Sequence, residues 1–313
     1  LIGFPTVIKA LIENGAVTTE CDEYGRSVLH LAAGHGFTTI VEMLLTKGLE
    51  VNLKDIQGRS PLHFAASGGH KEVCMFLLNV GADKEIGDND KITPLHYAAG
   101  KGHDSIIELL INNGVDVNIG EDFNITSLHW AAGQGLLSTV QVLTEKGHAD
   151  VNKKDEINRP PLFFALINNH ISIAEYLISH NADIHETTCE GASILHYLAE
   201  DGNPNTIQKV LELGVDVNIR DNDGATPLHW AVRKNNLLGI KALIDAKASL
   251  HNTDDKKATI LHWSVKSKSL PLIKQLVTMG LDPFCKDSKG ETAACWAKKD
   301  DLPEIANFLK TTK

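Results

Sequence analysis

The sequence predicts an all-α solenoid of roughly ten short units, each a helix–turn–helix followed by a polar hairpin, with the first unit incomplete. Three observations predict it. A tetrapeptide of the form Ser/Thr-x-Leu-His returns at a spacing of 33 residues. Each copy opens a run with apolar residues at helical spacing, and a second such run follows. A Gly, Asn or Lys then stands at one fixed place, two residues before the next copy.

The copies read Ser27-Val28-Leu29-His30, Ser60-Pro61-Leu62-His63, Thr93-Pro94-Leu95-His96 and Thr126-Ser127-Leu128-His129. They continue as Pro160-Pro161-Leu162-Phe163, Ser193-Ile194-Leu195-His196, Thr226-Pro227-Leu228-His229, Thr259-Ile260-Leu261-His262 and Thr292-Ala293-Ala294-Cys295. One step is 34 residues long and absorbs an extra residue near His148.

Each element has a local reason. Thr226 is a good N-cap, because its hydroxyl can accept from a free N–H of the first turn. Pro227 at the first helical position loses no useful donor and has a suitable φ. Leu228, Ala231 and Val232 then fall on one helical face, and the small residue lets neighbouring helices approach closely. A second apolar helix follows, as in Thr39-Ile40-Val41-Glu42-Met43-Leu44-Leu45, and stops at Gly48, a fitting C′ residue. The polar stretch from Val51 to Gly58 is a hairpin. Gly25, Gly58, Gly191, Gly224 and Gly290 occupy the hairpin place that needs φ > 0. Lys91, Asn124, Asn158 and Lys257 take that place elsewhere.

Counting from the hairpins gives a partial unit at 1–21, which contains only its second helix, and repeats at 22–54, 55–87, 88–120, 121–154, 155–187, 188–220, 221–253, 254–286 and 287–313. No linker or low-complexity stretch interrupts the register, so one domain over 1–313 is expected. No repeat can bury its apolar face alone, so stability must come from stacking.

This pattern resembles the ankyrin repeat, with its period of 33 and its T-P-L-H-x-A signature, and the resemblance covers the whole chain. It implies a module that binds other proteins and does not itself catalyse.

Composition agrees. The net charge of −10 argues against a general nucleic-acid or membrane-surface binder, which needs an excess of Lys and Arg. The five cysteines are far apart, with no CxxC, so neither a disulfide framework nor a Cys-based zinc site is expected. Reduced thiols point to a cytoplasmic or nuclear protein. No apolar run approaches the roughly 20 residues of a membrane span.

The chemistry-bearing residues have structural explanations. Seven histidines sit in the tetrapeptide, one repeat apart. At a helix spacing of about 10 Å they cannot share an ion whose Zn–N bonds are about 2 Å. The resemblance implies instead that each bonds hairpin backbone. Where Phe163 and Cys295 replace His, the hairpin should be less firmly tied. Neither G-x-S-x-G, the phosphate-binding loop nor H-E-x-x-H occurs. No cofactor, metal site or enzymatic activity is therefore expected.

The place after the His is the most informative. It holds Leu31, Phe64, Tyr97, Trp130, Phe164, Tyr197, Trp230, Trp263 and Trp296, all aromatic but the first, in a chain that is only 5% aromatic. On a helix this place lies about 200° from the buried Leu. The rings either fill the seam between adjacent first helices or line a groove for an extended peptide, where aromatic anchors are common. Three residues further on, Gly34, Ser67, Gly100 and Gly133 are small, so the groove should be open there. Glu200 and Asp201 then introduce acid, and Arg233, Lys234, Lys266 and Lys299 base. Trp230 with Arg233, Trp263 with Lys266 and Trp296 with Lys299 are spaced i, i+3, which places each pair on one helical face. The expected peptide-binding residues are therefore Phe64, Tyr97, Trp130, Trp230, Arg233, Trp263, Lys266, Trp296 and Lys299.

Two narrower resemblances add expectations. Leu128-His129-Trp130-Ala131 and Leu228-His229-Trp230-Ala231 are similar to the ankyrin domains of DHHC-type protein acyltransferases, in which that Trp can contact a bound peptide. The Asp-His-His-Cys motif itself is absent. Asn52, Asn118, Asn152 and Asn218 resemble the hairpin V-N sites that an asparaginyl hydroxylase modifies in many ankyrin domains.

The functional expectation is a monomeric scaffold or adaptor holding peptide segments of partner proteins on its concave face, without membrane insertion. The alternative is a recruiting or targeting module of a larger enzyme or channel whose active part lies elsewhere.

Overall fold

The computed structural model describes residues 4–312. The chain divides into two compact units, residues 1–156 and 157–313. The first contains α1 (Phe4–Glu13), α2 (Val28–Gly34), α3 (Thr38–Thr46), α4 (Pro61–Gly68), α5 (Lys71–Asn79), α6 (Pro94–Lys101), α7 (Asp104–Asn112), α8 (Ser127–Gln134) and α9 (Leu137–Glu145). Even-numbered helices open a repeat and odd-numbered ones close it. Within this unit α2, α4, α6 and α8 pack in succession, and α3, α5, α7 and α9 do the same behind them.

Local sequence explains the elements. Ser60 and Thr93 hold extended N-cap backbone, and Pro61 and Pro94 follow at the first helical position. Helices of seven to nine residues are too short to persist alone, so packing must hold them. The packed stripe is Leu62, Ala65 and Ala66 in α4 and Ile106, Ile107 and Leu110 in α7, none more than 1% exposed. Alanine in the first helix is what allows neighbouring first helices to approach. The hairpin place has the left-handed backbone its residues suggested: φ is 80° at Gly58, 60° at Lys91 and 57° at Asn124. Lys91 is the costly one, a long side chain in a region of order 1 kcal/mol or more above the minimum. It spans to the next hairpin, 2.8 Å from Asp122.

The second unit repeats the scheme with α10 (Pro161–Ile167), α11 (Ile171–Ser179), α12 (Ile194–Asp201), α13 (Pro204–Glu212), α14 (Pro227–Lys234), α15 (Leu237–Asp245), α16 (Ile260–Val265), α17 (Leu270–Thr278), α18 (Ala293–Lys299) and α19 (Pro303–Thr311). Its first helices α10, α12, α14, α16 and α18 again pack in order. Leu228, Ala231 and Val232 are fully buried, as the stripe in the sequence requires.

No strand forms among the described residues. Single backbone hydrogen bonds nevertheless join each hairpin tip to the next, from Asn89 N–H to Gln57 O at 2.9 Å and from Asp255 N–H to Asp223 O at 2.9 Å, for example. The tips are thereby set side by side. No described helix is long and apolar enough to cross a membrane.

Candidate peptide-binding surface

The tetrapeptide histidine ties one repeat to the next. The Thr93 backbone N–H donates to His96 Nδ1 at 3.2 Å, and His96 Nε2 donates to the Ile125 carbonyl, 29 residues on, at 3.1 Å. The carbonyl can only accept, so Nε2 carries the proton and Nδ1 is the acceptor. The residue at the third helical position thus closes a capping box with an imidazole in place of the usual Glu or Gln. His63 reaches Ile92, His196 reaches Ala225 and His262 reaches Glu291 in the same way, at 2.9, 3.1 and 3.0 Å. Burial disfavours the imidazolium, and His63, His96 and His229 are each pushed down to about 4.

Hairpin carboxylates fix the rings. Asp254 Oδ1 accepts from the N–H groups of Lys256 and Ala258 at 2.9 and 2.8 Å, while Oδ2 accepts from Trp263 Nε1 at 2.9 Å. Asp221 holds Trp230, Asp287 holds Trp296 and Glu121 holds Trp130 through the same ring nitrogen, and Asp88 takes the Tyr97 hydroxyl. Burial opposes ionisation of Asp287, but the Glu291 N–H and the Trp296 indole outweigh it and hold its carboxyl below the ordinary range. Where the ring position has no donor, an Arg fills in. Arg59 binds Asp55 Oδ2 through two nitrogens, at 2.9 and 2.7 Å, and lies 4.7 Å over the Phe64 ring. Arg26 holds Asp22 before Leu31 in the same manner.

This pairing, nine residues apart, was not read from the sequence. Its signal was present: Arg stands four residues after the Asp where the later ring cannot donate.

The rings therefore belong partly to the seam. Phe64, Tyr97, Trp130, Trp230, Trp263 and Trp296 each lie edge-on to the preceding repeat's imidazole, as Trp263 does to His229 at 5.4 Å and 71°, while Tyr197 meets Phe163. Trp230 is 7% exposed and is effectively core, whereas Phe64, Tyr97, Trp130, Trp263 and Trp296 are half-buried. The small residues are not simply gaps. A Cβ on Gly100 would meet Trp130 Cε3 at 2.5 Å, and one on Gly34 would meet Phe64 at 3.3 Å. Glycine is there to let the next ring in, and that ring keeps an uncovered face.

The cations sit differently from the i, i+3 expectation. Arg233 does lie over its own Trp230, at 4.9 Å, but also over Trp263 of the next repeat, at 5.5 Å. Lys266 lies over Trp296, 5.7 Å from the centroid, rather than over Trp263. Each ring is drawn toward its hairpin carboxylate and so leans on the helix before it, under that helix's side chain. The cations also have carboxylate partners: Arg233 with Glu200 at 2.8 Å, Lys266 with Asp300 at 2.8 Å and Lys299 with Glu291 at 2.7 Å.

Cavities remain beside the ring row: one of about 490 Å³ bounded by Glu190, Asp221, Asp223, Trp230, Arg233 and Trp263, and two smaller ones. In the first unit, about 260 Å³ is bounded by Leu31, Arg59, Phe64, Ser67 and Tyr97. In the second, about 220 Å³ lies beside Trp296, bordered by Lys256, Lys266, Lys289 and Lys299.

A family model of ankyrin repeats in three copies matches residues 2–55, 49–121, 95–188 and 162–254. The chain belongs to the ankyrin-repeat family. No curated protein matches it. Ankyrin repeats are protein–protein interaction modules, which makes protein the natural partner class.

The ankyrin pattern continues past the matched segments, since the His262 tie and the Asp287–Trp296 bond recur there. The asparagines singled out in the hairpins link neighbouring ankyrin repeats. Asn52 Oδ1 accepts from Asp83 N–H at 2.9 Å, Asn118 from Asp150 at 2.8 Å and Asn218 from Ser249 at 2.8 Å. Asn152 occupies the same hairpin place, half-buried. Glu85 stands in for Asn in its repeat and accepts from Asp116 N–H at 2.8 Å.

Proposed function

We propose that this ankyrin domain is a non-catalytic scaffold or adaptor that holds extended peptide segments of partner proteins along the face formed by its first helices and hairpins. The observation that carries this reading is the Phe64–Tyr97 cavity. There the half-buried rings meet Ser67 and the glycines of α2 and α4, with Arg59 over the Phe64 ring and Arg26 and His35 at the border. At about 260 Å³ it is smaller than the 300–1,000 Å³ typical of small-molecule sites and suits one or two side chains of a longer ligand. Aromatic anchors held rigid by Arg59 and Asp88 lose little entropy on binding. The partner's apolar residues would seat here, with its backbone along the tips.

Peptides selected from a displayed random library test the reading. Ser67→Lys, which fills the cavity from the half-buried last turn of α4, should weaken the selected peptides at least about tenfold while leaving the helical spectrum intact. Failure to enrich any peptide, or equal binding to Ser67→Lys, would overturn it.

A further inference from the structure

The cavity beside Trp296 differs from the one beside Phe64 in its border. Trp296 is fixed by Asp287 and backed by His262 at 5.3 Å, with its other side toward the cavity and Lys266 over it. Three carboxylates also line the space, and each is already engaged. Asp287 accepts from two backbone N–H groups and the indole. Glu291 binds Lys299, and Asp300 binds Lys266. Lys256 and Lys289 are left over. Lys256 is 3.7 Å from Asp223, with both side chains more than 70% exposed, which makes a weak pair. Lys289 has no ion pair among the described residues.

These two lysines border the same cavity by construction. They occupy the same place on adjacent hairpin tips, which the Ser288 N–H to Lys256 O bond holds together. The same tip place carries Glu190 and Asp223 in the two preceding repeats. The first-helix row changes sign one repeat earlier, from Glu200 to Arg233, Lys266 and Lys299. Both rows flanking the Trp row are thus cationic together only in the last two repeats. Residues 254–313 hold 11 Lys against eight Asp and Glu, in a chain whose net charge is −10. An acidic ligand is repelled along most of the molecule and attracted here.

We propose that the lysine-bordered cavity beside Trp296 receives an anionic side chain of a bound peptide, next to an apolar residue that covers the indole. This rests on the peptide-binding reading above. The anionic group is a carboxylate or a phosphorylated side chain, which share the geometry that Lys256 and Lys289 can bracket with charge-assisted hydrogen bonds. A volume of about 220 Å³ admits one or two side chains. A long polyanion such as nucleic acid would have to run on over the acidic repeats, so a short acidic segment is the occupant that fits.

The test is fluorescence anisotropy with labelled peptides alternating Leu with Glu, Leu with phosphoserine, and Leu with Gln. Wild type is compared with the double variant Lys256→Glu, Lys289→Glu, whose altered residues are exposed and outside the core. At least one anionic peptide should bind the wild type about tenfold or more tighter than the Gln peptide. High salt and the double variant should each abolish that difference. Which of the two anionic peptides binds more tightly tells carboxylate from phosphate. Equal binding of the Gln peptide would overturn the inference and leave the peptide-binding reading standing. So would binding only of library-selected peptides that are indifferent to the double variant. Tighter binding of a single-stranded oligonucleotide of equal charge would also overturn it. If no peptide of any composition binds, both readings fall together.

Discussion

Lowering the pH from 7.5 to 5 should loosen this domain well before its carboxylates protonate. His63, His96 and His229 are at most 1% exposed, and burial lowers each from the ordinary 6.5 to about 4. The folded state therefore binds fewer protons than the unfolded chain between those two values. Stability from these residues is complete above about 6.5 and is lost as pH falls toward 4. At pH 5 the loss is about 2 kcal/mol for each, hence about 6 kcal/mol for the three. That is comparable with the entire stability of many domains, about 5–15 kcal/mol. Burial is the leading cause, and a proton on Nδ1 would in addition face the N-cap N–H that now donates to it. Urea unfolding followed by far-ultraviolet circular dichroism at pH 7.5, 6 and 5 reads the change as a falling midpoint. His96→Gln should be less stable at pH 7.5 but show a shallower pH dependence. A midpoint that holds steady from pH 7.5 to 5, or a His96→Gln variant with an undiminished slope, would refute the reasoning.

Three further outcomes are expected. Pro160 has no N–H, and Phe163 stands where the acceptor imidazole would be, so Phe163→His alone should not stabilise. Paired with Pro160→Thr it should show a favourable coupling of about 1 kcal/mol in a thermal-unfolding double-mutant cycle, and additivity would count against the capping argument. Gly100→Ala should cost about 1–3 kcal/mol, because its Cβ would fall 2.5 Å from Trp130, and an unchanged melting temperature would contradict that packing. Asp254→Ala strands two backbone N–H groups and the Trp263 indole, so it should cost about 2–4 kcal/mol and red-shift tryptophan emission; unaltered emission would count against the bond.

The fold was legible because each repeat states its rules locally. Thr226-Pro227 marks a helix start whatever surrounds it, and the hairpin place demands a left-handed residue, which even Lys91 and Lys257 adopt, at 60° and 59°. The surface was legible only in part. The helical wheel placed the ring row between seam and groove, and the rings do serve both, Trp230 as core and Phe64 as a half-exposed wall. What spacing within one helix could not supply was the partner across the seam. The i, i+3 rule describes one helix, whereas Lys266 reaches Trp296 because a carboxylate nine residues upstream pulls that ring toward its own hairpin and against the preceding helix. Likewise the glycines read as open space are landing sites for the next ring, a relation visible only once two repeats are stacked.

The missing imidazole at Phe163 also limits how far a disturbance travels. In a linear array each repeat feels only its neighbours, so stability is passed along junction by junction. Between repeats 155–187 and 188–220 the imidazole tie is replaced by Phe163 edge-on to Tyr197, at 6.0 Å, while the Cys189 N–H to Ile157 O, Thr206 to Asn169 and Lys209 to Glu175 contacts still cross the junction. Thr188 there offers one side-chain oxygen where other hairpins offer two. A junction that has lost this one tie is a weaker link than those that keep it, so a disturbance should be passed across it less strongly than across the His-tied junctions.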